Sequence, residues 1–161
     1  VALFTLGLYA FILSMMSIDL ASLPAHFSEK LPRGWIAGLM FAVGGFLALA
    51  WLGRILTPLI QGVDPALENT TTLVIQFMDL SLIAPAAILG GILLLRRNAW
   101  GYLLASVLLT KGVTLGLGVS TMAVNMSLRG VPDSLGIMIP FLIITLANLI
   151  LTVVMLRNVS E

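Results

Sequence analysis

A long apolar stretch at residues 70–97, TTTLVIQFMDLSLIAPAAILGGILLLRR, carries an amide and a carboxylate within it, Gln76 and Asp79. About 20 apolar residues suffice for a helix to cross the hydrocarbon core of a bilayer, which is about 30 Å thick. A carboxylate at that depth costs roughly 2.5 to 3.5 kcal/mol on insertion scales unless a partner receives it. The stretch therefore predicts a transmembrane helix whose Asp79 faces the protein interior, with other helices around it.

Composition also points to a membrane. Of the 161 residues 60% are hydrophobic and 9% charged, whereas a soluble domain has about 25% charged residues. A net charge of +1 gives no basic footprint for nucleic acid. The lack of cysteine excludes disulfides, thiolate metal sites and cysteine nucleophiles, and the single histidine, His26, offers no metal-ligand cluster. We therefore expect no metal and no cofactor, with the lipid bilayer and either a second copy or another membrane subunit as partners.

Five apolar segments fit the length of a membrane-spanning helix. They predict an all-α transmembrane helical bundle that forms a single domain over residues 1–161, with helices at about 1–18, 33–57, 70–95, 99–125 and 133–156. The first segment begins inside an apolar run, so we expect the given sequence to lack its natural start and at least one earlier helix.

The basic residues predict the orientation of the helices. Five of them fall on one side if the helices alternate in direction: Lys30, Arg33, Arg96, Arg97 and Arg157. Because cytoplasmic loops are enriched in Lys and Arg, that side is predicted to be cytoplasmic, together with the C-terminus, in the inner membrane of a prokaryote. The connection at residues 19–32 lies on this side and is interpreted as a solvated loop, with Leu20, Leu23 and Phe27 resting on the lipid interface.

The segment 33–57 contains the motif Gly34-Trp-Ile-Ala-Gly38. Glycines four residues apart allow a second helix to approach closely. We interpret the motif as a packing face within this chain, with dimerisation as the alternative. Trp35 and Trp51 suit the two membrane interfaces, where tryptophan is enriched.

Three segments each show polar residues at helical spacing. Thr72, Gln76 and Asp79 share a side with Ala86 and Gly90; Lys111, Thr114, Gly118, Thr121 and Asn125 form a second row; Thr145, Asn148 and Thr152 form a third. We interpret the rows as one internal polar seam. The candidate ligand residues are Asp79, Gln76, Lys111, Arg54, Thr72, Thr114 and Asn148. Whether the seam is a sealed packing face or a site for a ligand, ion or proton stays open at this level.

Depth along the helices suggests which charges meet. Side chains lean towards the N-terminus of their own helix. On this rule Arg54 leans towards Asp79, whereas Lys111 leans away from it, so we predict a direct Arg54–Asp79 ion pair. A lysine near the midplane must then pair with another group or reach water.

Three stretches, WLGRILTPLIQG, TTLVIQFMDLSLIAPAAILGGILLLRR and WGYLLASVLLTKGVTLGLG, resemble a family of uncharacterised prokaryotic polytopic membrane proteins with about six helices. The resemblance implies that this chain corresponds to the C-terminal five helices, and it carries no catalytic motif. The sequence has no HExxH, no GxSxG and only one deep carboxylate, so no catalytic residue is predicted. We expect a binding, sensory or accessory membrane subunit, with a small transporter or an ion- or proton-conducting bundle using Asp79 and Lys111 as the alternative.

Overall fold

The computed structural model describes residues 2–64, 67, 72–130 and 134–159, and over these residues the chain is a bundle of α-helices, as the sequence predicts. Val1, residues 70–71 and residue 133, at which three predicted helices begin, lie outside the described residues. The helices are α1 Ala2–Ser17, α2 Arg33–Ile60, α3 Val74–Met78, α4 Ala84–Leu95, α5 Ala99–Leu128 and α6 Ser134–Arg157, with a 3₁₀ turn at Leu23–His26 and a π-helical segment at Asp79–Ile83.

Within the described residues four helical segments are long and apolar enough to cross a membrane: Arg33–Ile60, Val74–Leu95, Ala99–Leu128 and Ile139–Arg157. The apolar segment predicted at about residues 1–18 is helical as α1 over its described residues, and it is shorter than the other four segments. α1 has 16 residues, about 24 Å at 1.5 Å per residue, against a hydrocarbon core of about 30 Å. None of its residues is buried, so α1 lies apart from the packed helices.

The π-helical segment has a cause in the sequence that follows it. Pro85 has no N–H, and its ring collides with the carbonyl group of the residue four positions earlier, Ser81. The backbone widens before this point, and the N–H of Ala84 donates to the carbonyl of Asp79, five residues back. α3, the π segment and α4 therefore form one span with a wider turn at its Asp79–Ile83 part.

The wider turn rotates the residues before it relative to those after it. The row predicted to run from Thr72 to Gly90 on a single face is therefore interrupted at the π segment. Beyond the π segment α4 buries Ala87 and Gly91 together with Gly90, whereas Ala86, expected on the shared face, is half-buried.

Close helix contacts are made by glycines. α4 packs between α2 and α5, and α5 packs along α6 in the most extensive contact of the bundle. A Cβ atom built on Gly44 would lie 3.1 Å from the carbonyl oxygen of Ala84, and one built on Gly101 would overlap the backbone of Leu94. Larger residues at these positions would hold the helices apart.

The predicted role of the Gly34/Gly38 motif inside the chain is wrong. Both glycines are exposed, and a Cβ atom on either would meet no atom of the described residues within 4 Å. Gly44, on another face of α2, makes the close contact instead. Dimerisation through the Gly34/Gly38 face stays a prediction.

The connection at residues 19–32 is a packed cap over one end of the bundle rather than a solvated loop. Phe27 stacks on Tyr102 with ring centroids 4.9 Å apart, and Tyr102 is only 2% exposed. The N–H of Ser28 donates to the carbonyl of Asn158 over 2.8 Å. Leu23 and Phe27, expected on the lipid interface, pack against the core, because the end of the bundle offers them an apolar surface.

Candidate functional site

The inner face of α5 meets a polar face of α6. Thr145 and Asn148 of α6 are 5% and 4% exposed. A Cβ atom on Gly112 would overlap the Asn148 amide, and one on Gly116 would overlap the Thr145 hydroxyl. The third row predicted from sequence is thus directed inwards, and glycines on α5 make room for it.

These buried polar groups are satisfied by their own helix. Thr145 Oγ1 donates to the carbonyl of Phe141 over 2.6 Å, and Asn148 Nδ2 donates to the carbonyl of Ile144 over 2.8 Å. Within the described residues no buried side-chain nitrogen or oxygen is without a hydrogen bond. This part of the predicted seam is therefore a packing face with satisfied polar groups.

The polar row of α5 faces away from this contact. All five of its members are exposed: Lys111, Thr114, Gly118, Thr121 and Asn125. The residues that α5 buries against its neighbours lie on another face and include Leu109, Gly116 and Ser120. The prediction that the three rows join in one internal seam is therefore wrong for α5.

Lys111 stands out among the ionisable side chains of the spans. It follows Ala99, the first residue of α5, by 12 positions, a rise of about 18 Å along the helix. Half the thickness of the hydrocarbon core is about 15 Å, so Lys111 lies near the middle of the span. It is exposed, and among the described residues its ammonium group has neither a hydrogen bond nor an ion pair within 4.0 Å. A lysine at such depth is expensive without a partner or water.

A shallow groove lies beside Lys111 on the outer face of α5. It is lined by Ser106, Val107, Thr110, Lys111 and Thr114. The hydroxyl groups donate within α5: Thr110 Oγ1 to the carbonyl of Ser106 over 2.8 Å, and Thr114 Oγ1 to the carbonyl of Lys111 over 2.9 Å. The small side chains leave the groove shallow. Their hydroxyl oxygens still have lone pairs that can accept hydrogen bonds.

Lys111 also borders a partly enclosed cavity of about 50 Å³ between α2, α4, α5 and α6. Its lining is apolar apart from Lys111 and Asn148; the other residues are Leu39, Met40, Val43, Leu47, Ile83, Ala87, Leu108, Leu109, Gly112 and Leu115. About 10–15 Å³ accommodates one water, so the volume suits a few waters or a small apolar group. Of the candidate residues, Lys111 and Asn148 are thus brought to one cavity.

Asp79 is received by a different partner from the one predicted. Trp51 Nε1 donates to Asp79 Oδ2 over 2.9 Å, and both residues are half-buried. The ion pairs of the described residues do not include one between Arg54 and Asp79. Trp51, expected at a membrane interface, is thus the polar partner that sequence reasoning missed, and it precedes Arg54 by less than one helical turn.

The remaining candidates near Asp79 are Thr72 and Gln76, which precede it in the chain, and Arg54 on α2, and they line neither the cavity nor the groove at Lys111. Gln76 is half-buried on α3, while Thr72 and Arg54 are exposed. Neither the cavity nor the groove that Lys111 lines includes Asp79. Among the described residues no three side chains of His, Asp or Glu come together as a metal site.

A second polar cluster lies at the capped end of the bundle. Arg33 Nη1 donates to the hydroxyl of Tyr102 over 2.9 Å, and Glu29 accepts from both Arg33 and Arg97, at 3.2 and 3.0 Å. Arg97 has a φ of 56°, a conformation that usually belongs to glycine after a helix C-terminus. The hydrogen bond from the N–H of Asn98 to the carbonyl of Leu93 completes that turn.

No protein-family model, no curated protein and no solved structure matches the chain. The resemblance to prokaryotic six-helix membrane proteins therefore stays a prediction. Function has to be argued from the geometry of the helices.

Proposed function

We propose that this chain is a binding or accessory subunit of a membrane assembly, and that the surface of α5 around Lys111 is where it meets its partner. Lys111 carries the proposal. It is the exposed ionisable group near the middle of a span for which the described residues supply neither a hydrogen bond nor an ion pair. Because a charge at that depth is costly, such a residue is expected to serve a function.

The rest of the spans supports a packed core rather than a transport path. The buried hydroxyl and amide groups of α5 and α6 donate to backbone carbonyls of their own helices. Asp79 is bonded to Trp51 and does not border the cavity at Lys111. The transporter alternative requires Asp79 and Lys111 to act along one route, and they lie on separate features.

The proposal is tested by replacing Lys111 with methionine in the full chain. Since the described residues lose no partner, Lys111→Met should unfold in detergent at the same temperature as the wild type or above it. The mass of the assembly extracted in mild detergent from the source membrane should fall. Lys30→Met removes the other lysine, which lies outside the spans, and should change neither quantity.

Two results would contradict the proposal. A large drop in unfolding temperature for Lys111→Met would assign the lysine a structural role inside the bundle. A proton flux into proteoliposomes that requires both Lys111 and Asp79 would favour the conducting alternative.

A further inference from the structure

Resting on the proposed function, we infer that the groove beside Lys111 receives a transmembrane helix of another protein, and that this helix carries a glutamate or aspartate at mid-membrane depth. The groove is the surface lined by Ser106, Val107, Thr110, Lys111 and Thr114. Charge complementarity decides the chemistry of the occupant. An ammonium group in the hydrocarbon core is best compensated by a carboxylate that is itself held in the membrane.

The depth of Lys111 in the membrane favours a helix over a lipid headgroup as its partner. Lys111 lies about 18 Å along α5 from Ala99 and about 26 Å from Leu128, the two ends of the helix. The headgroups of lipids lie outside the ~30 Å hydrocarbon core. A lipid phosphate would be reached only if the lysine side chain extended along α5 towards the surface, whereas a carboxylate on a membrane-spanning helix can be placed at the depth of Lys111 itself.

A second copy of this chain fits the groove less well. Among the described residues of the four candidate spans, Asp79 is the acidic side chain. Its carboxylate already accepts a hydrogen bond from Trp51 and is half-buried. Pairing it with Lys111 of another copy would require giving up or sharing this contact.

The contour of the groove suits a helix. Ser106, Thr110 and Thr114 follow one another at steps of four, and small hydroxyl residues at this spacing let helix backbones approach closely in membranes. Their hydrogens are used within α5, as Ser106 Oγ donates to the carbonyl of Tyr102 over 2.9 Å. Their oxygens can still accept from a neighbouring helix, and Lys111 supplies the charge at the centre of the row.

The test uses the full chain in phosphatidylcholine vesicles and synthetic helices as probes. A cysteine introduced by Arg129→Cys carries a donor dye, because the chain has no cysteine of its own. The probes are Leu/Ala helices with an acceptor dye and a single central Glu, a central Gln, or a Glu moved by seven residues, about 10 Å along the helix. Energy transfer against probe density gives an apparent affinity for each pair.

The central Glu probe should bind about fivefold more tightly than the Gln probe, as expected for a polar contact between membrane helices. Lys111→Met should abolish this preference, and Lys30→Met should keep it. Lys111→Glu should reverse it and prefer a probe with a central Lys, which keeps the test decisive if the methionine variant folds poorly.

Equal affinity of the central Glu and central Gln probes for the wild type would overturn the inference. Equal affinity of the central Glu probe and the displaced Glu probe would overturn it too. Energy transfer between two labelled copies that is lost on Lys111→Met would also overturn it in favour of self-association. Any of these results combined with a Lys111-dependent native assembly would leave the proposed function standing, so the two failures are distinguishable.

Discussion

α5 presents two faces that both carry polar or small residues, and the bundle uses them in opposite ways. The inner face holds Gly112 and Gly116 against the side chains of Asn148 and Thr145. The outer face holds Lys111, Thr114 and Gly118, all exposed. Glycine marks close packing on the inner face and open space on the outer face, since a Cβ atom on Gly118 would meet none of the described atoms within 4 Å.

The difference shows that polarity does not locate the interior of a membrane bundle. In water a polar row marks the solvent side of a helix, but lipid is as apolar as a protein core. A polar residue can then face either a neighbouring helix or a partner not yet bound. The satisfied amide of Asn148 and the ammonium of Lys111, which has no partner in the described part of the chain, distinguish these two cases.

The largest effect is expected from a methyl group added to the inner face. Gly116→Ala would drive a Cβ atom into the buried Thr145 hydroxyl, and overpacking of this kind typically costs about 1–3 kcal/mol. The matched variant Gly118→Ala adds the same group on the outer face and should stabilise the helix by about 0.5–1 kcal/mol. Unfolding in detergent measures both, and equal effects would remove the distinction between the faces.

A second experiment asks whether Asp79 behaves like the inner-face groups. Trp51→Phe and Asp79→Leu should each cost about 1–2 kcal/mol, because each leaves a half-buried polar group without its partner. In a double-mutant cycle the two should couple clearly. Arg54→Leu combined with Asp79→Leu should instead be additive within about 0.5 kcal/mol. Coupling between Arg54 and Asp79, with additive effects at Trp51 and Asp79, would instead favour the ion pair predicted from sequence.

The smallest effect is expected at Arg97, a charged residue whose backbone adopts an unfavourable conformation. Arg97 has a left-handed backbone, which costs a residue with a Cβ atom about 1 kcal/mol relative to glycine. Arg97→Gly relieves this cost and loses the exposed contact to Glu29, which is worth little. Arg97→Gly should therefore be more stable than Arg97→Ala by about 1 kcal/mol, whereas equal stabilities would mean that the turn carries no strain.

The helices themselves could be predicted from the sequence because their apolar runs are long. The faces of those helices could not. On α5 the packing face is marked by Gly112 and Gly116, next to the polar row, and residue polarity alone favours the row instead. On the span that contains Asp79, Pro85 widened the helix and changed the register, which a constant 100° per residue does not capture.

The choice of partner for Asp79 failed for a related reason. An opposite charge is the strongest partner that the sequence offers a carboxylate, and Arg54 is the charge on α2 closest to the level of Asp79. Trp51 lies at a similar level and has a ring N–H that can donate to a carboxylate, as it does over 2.9 Å. The general enrichment of tryptophan at membrane interfaces favours an interfacial position for Trp51 and gives no sign of its bond to Asp79.

The cap over the bundle end has a consequence for the order of assembly. Its backbone hydrogen bond joins Ser28 to Asn158, and the isolated bridge of Phe27 with Val159 lies beside it. A chain made from its N-terminus exposes the cap segment long before α6 is synthesised. Phe27 can stack on Tyr102 once α5 is in place, but the bond to Asn158 must wait for the end of α6. Closure of the cap is therefore a late step that reports the arrival of the last helix, and a ribosome-bound chain ending before α6 should leave the N–H of Ser28 open to hydrogen exchange.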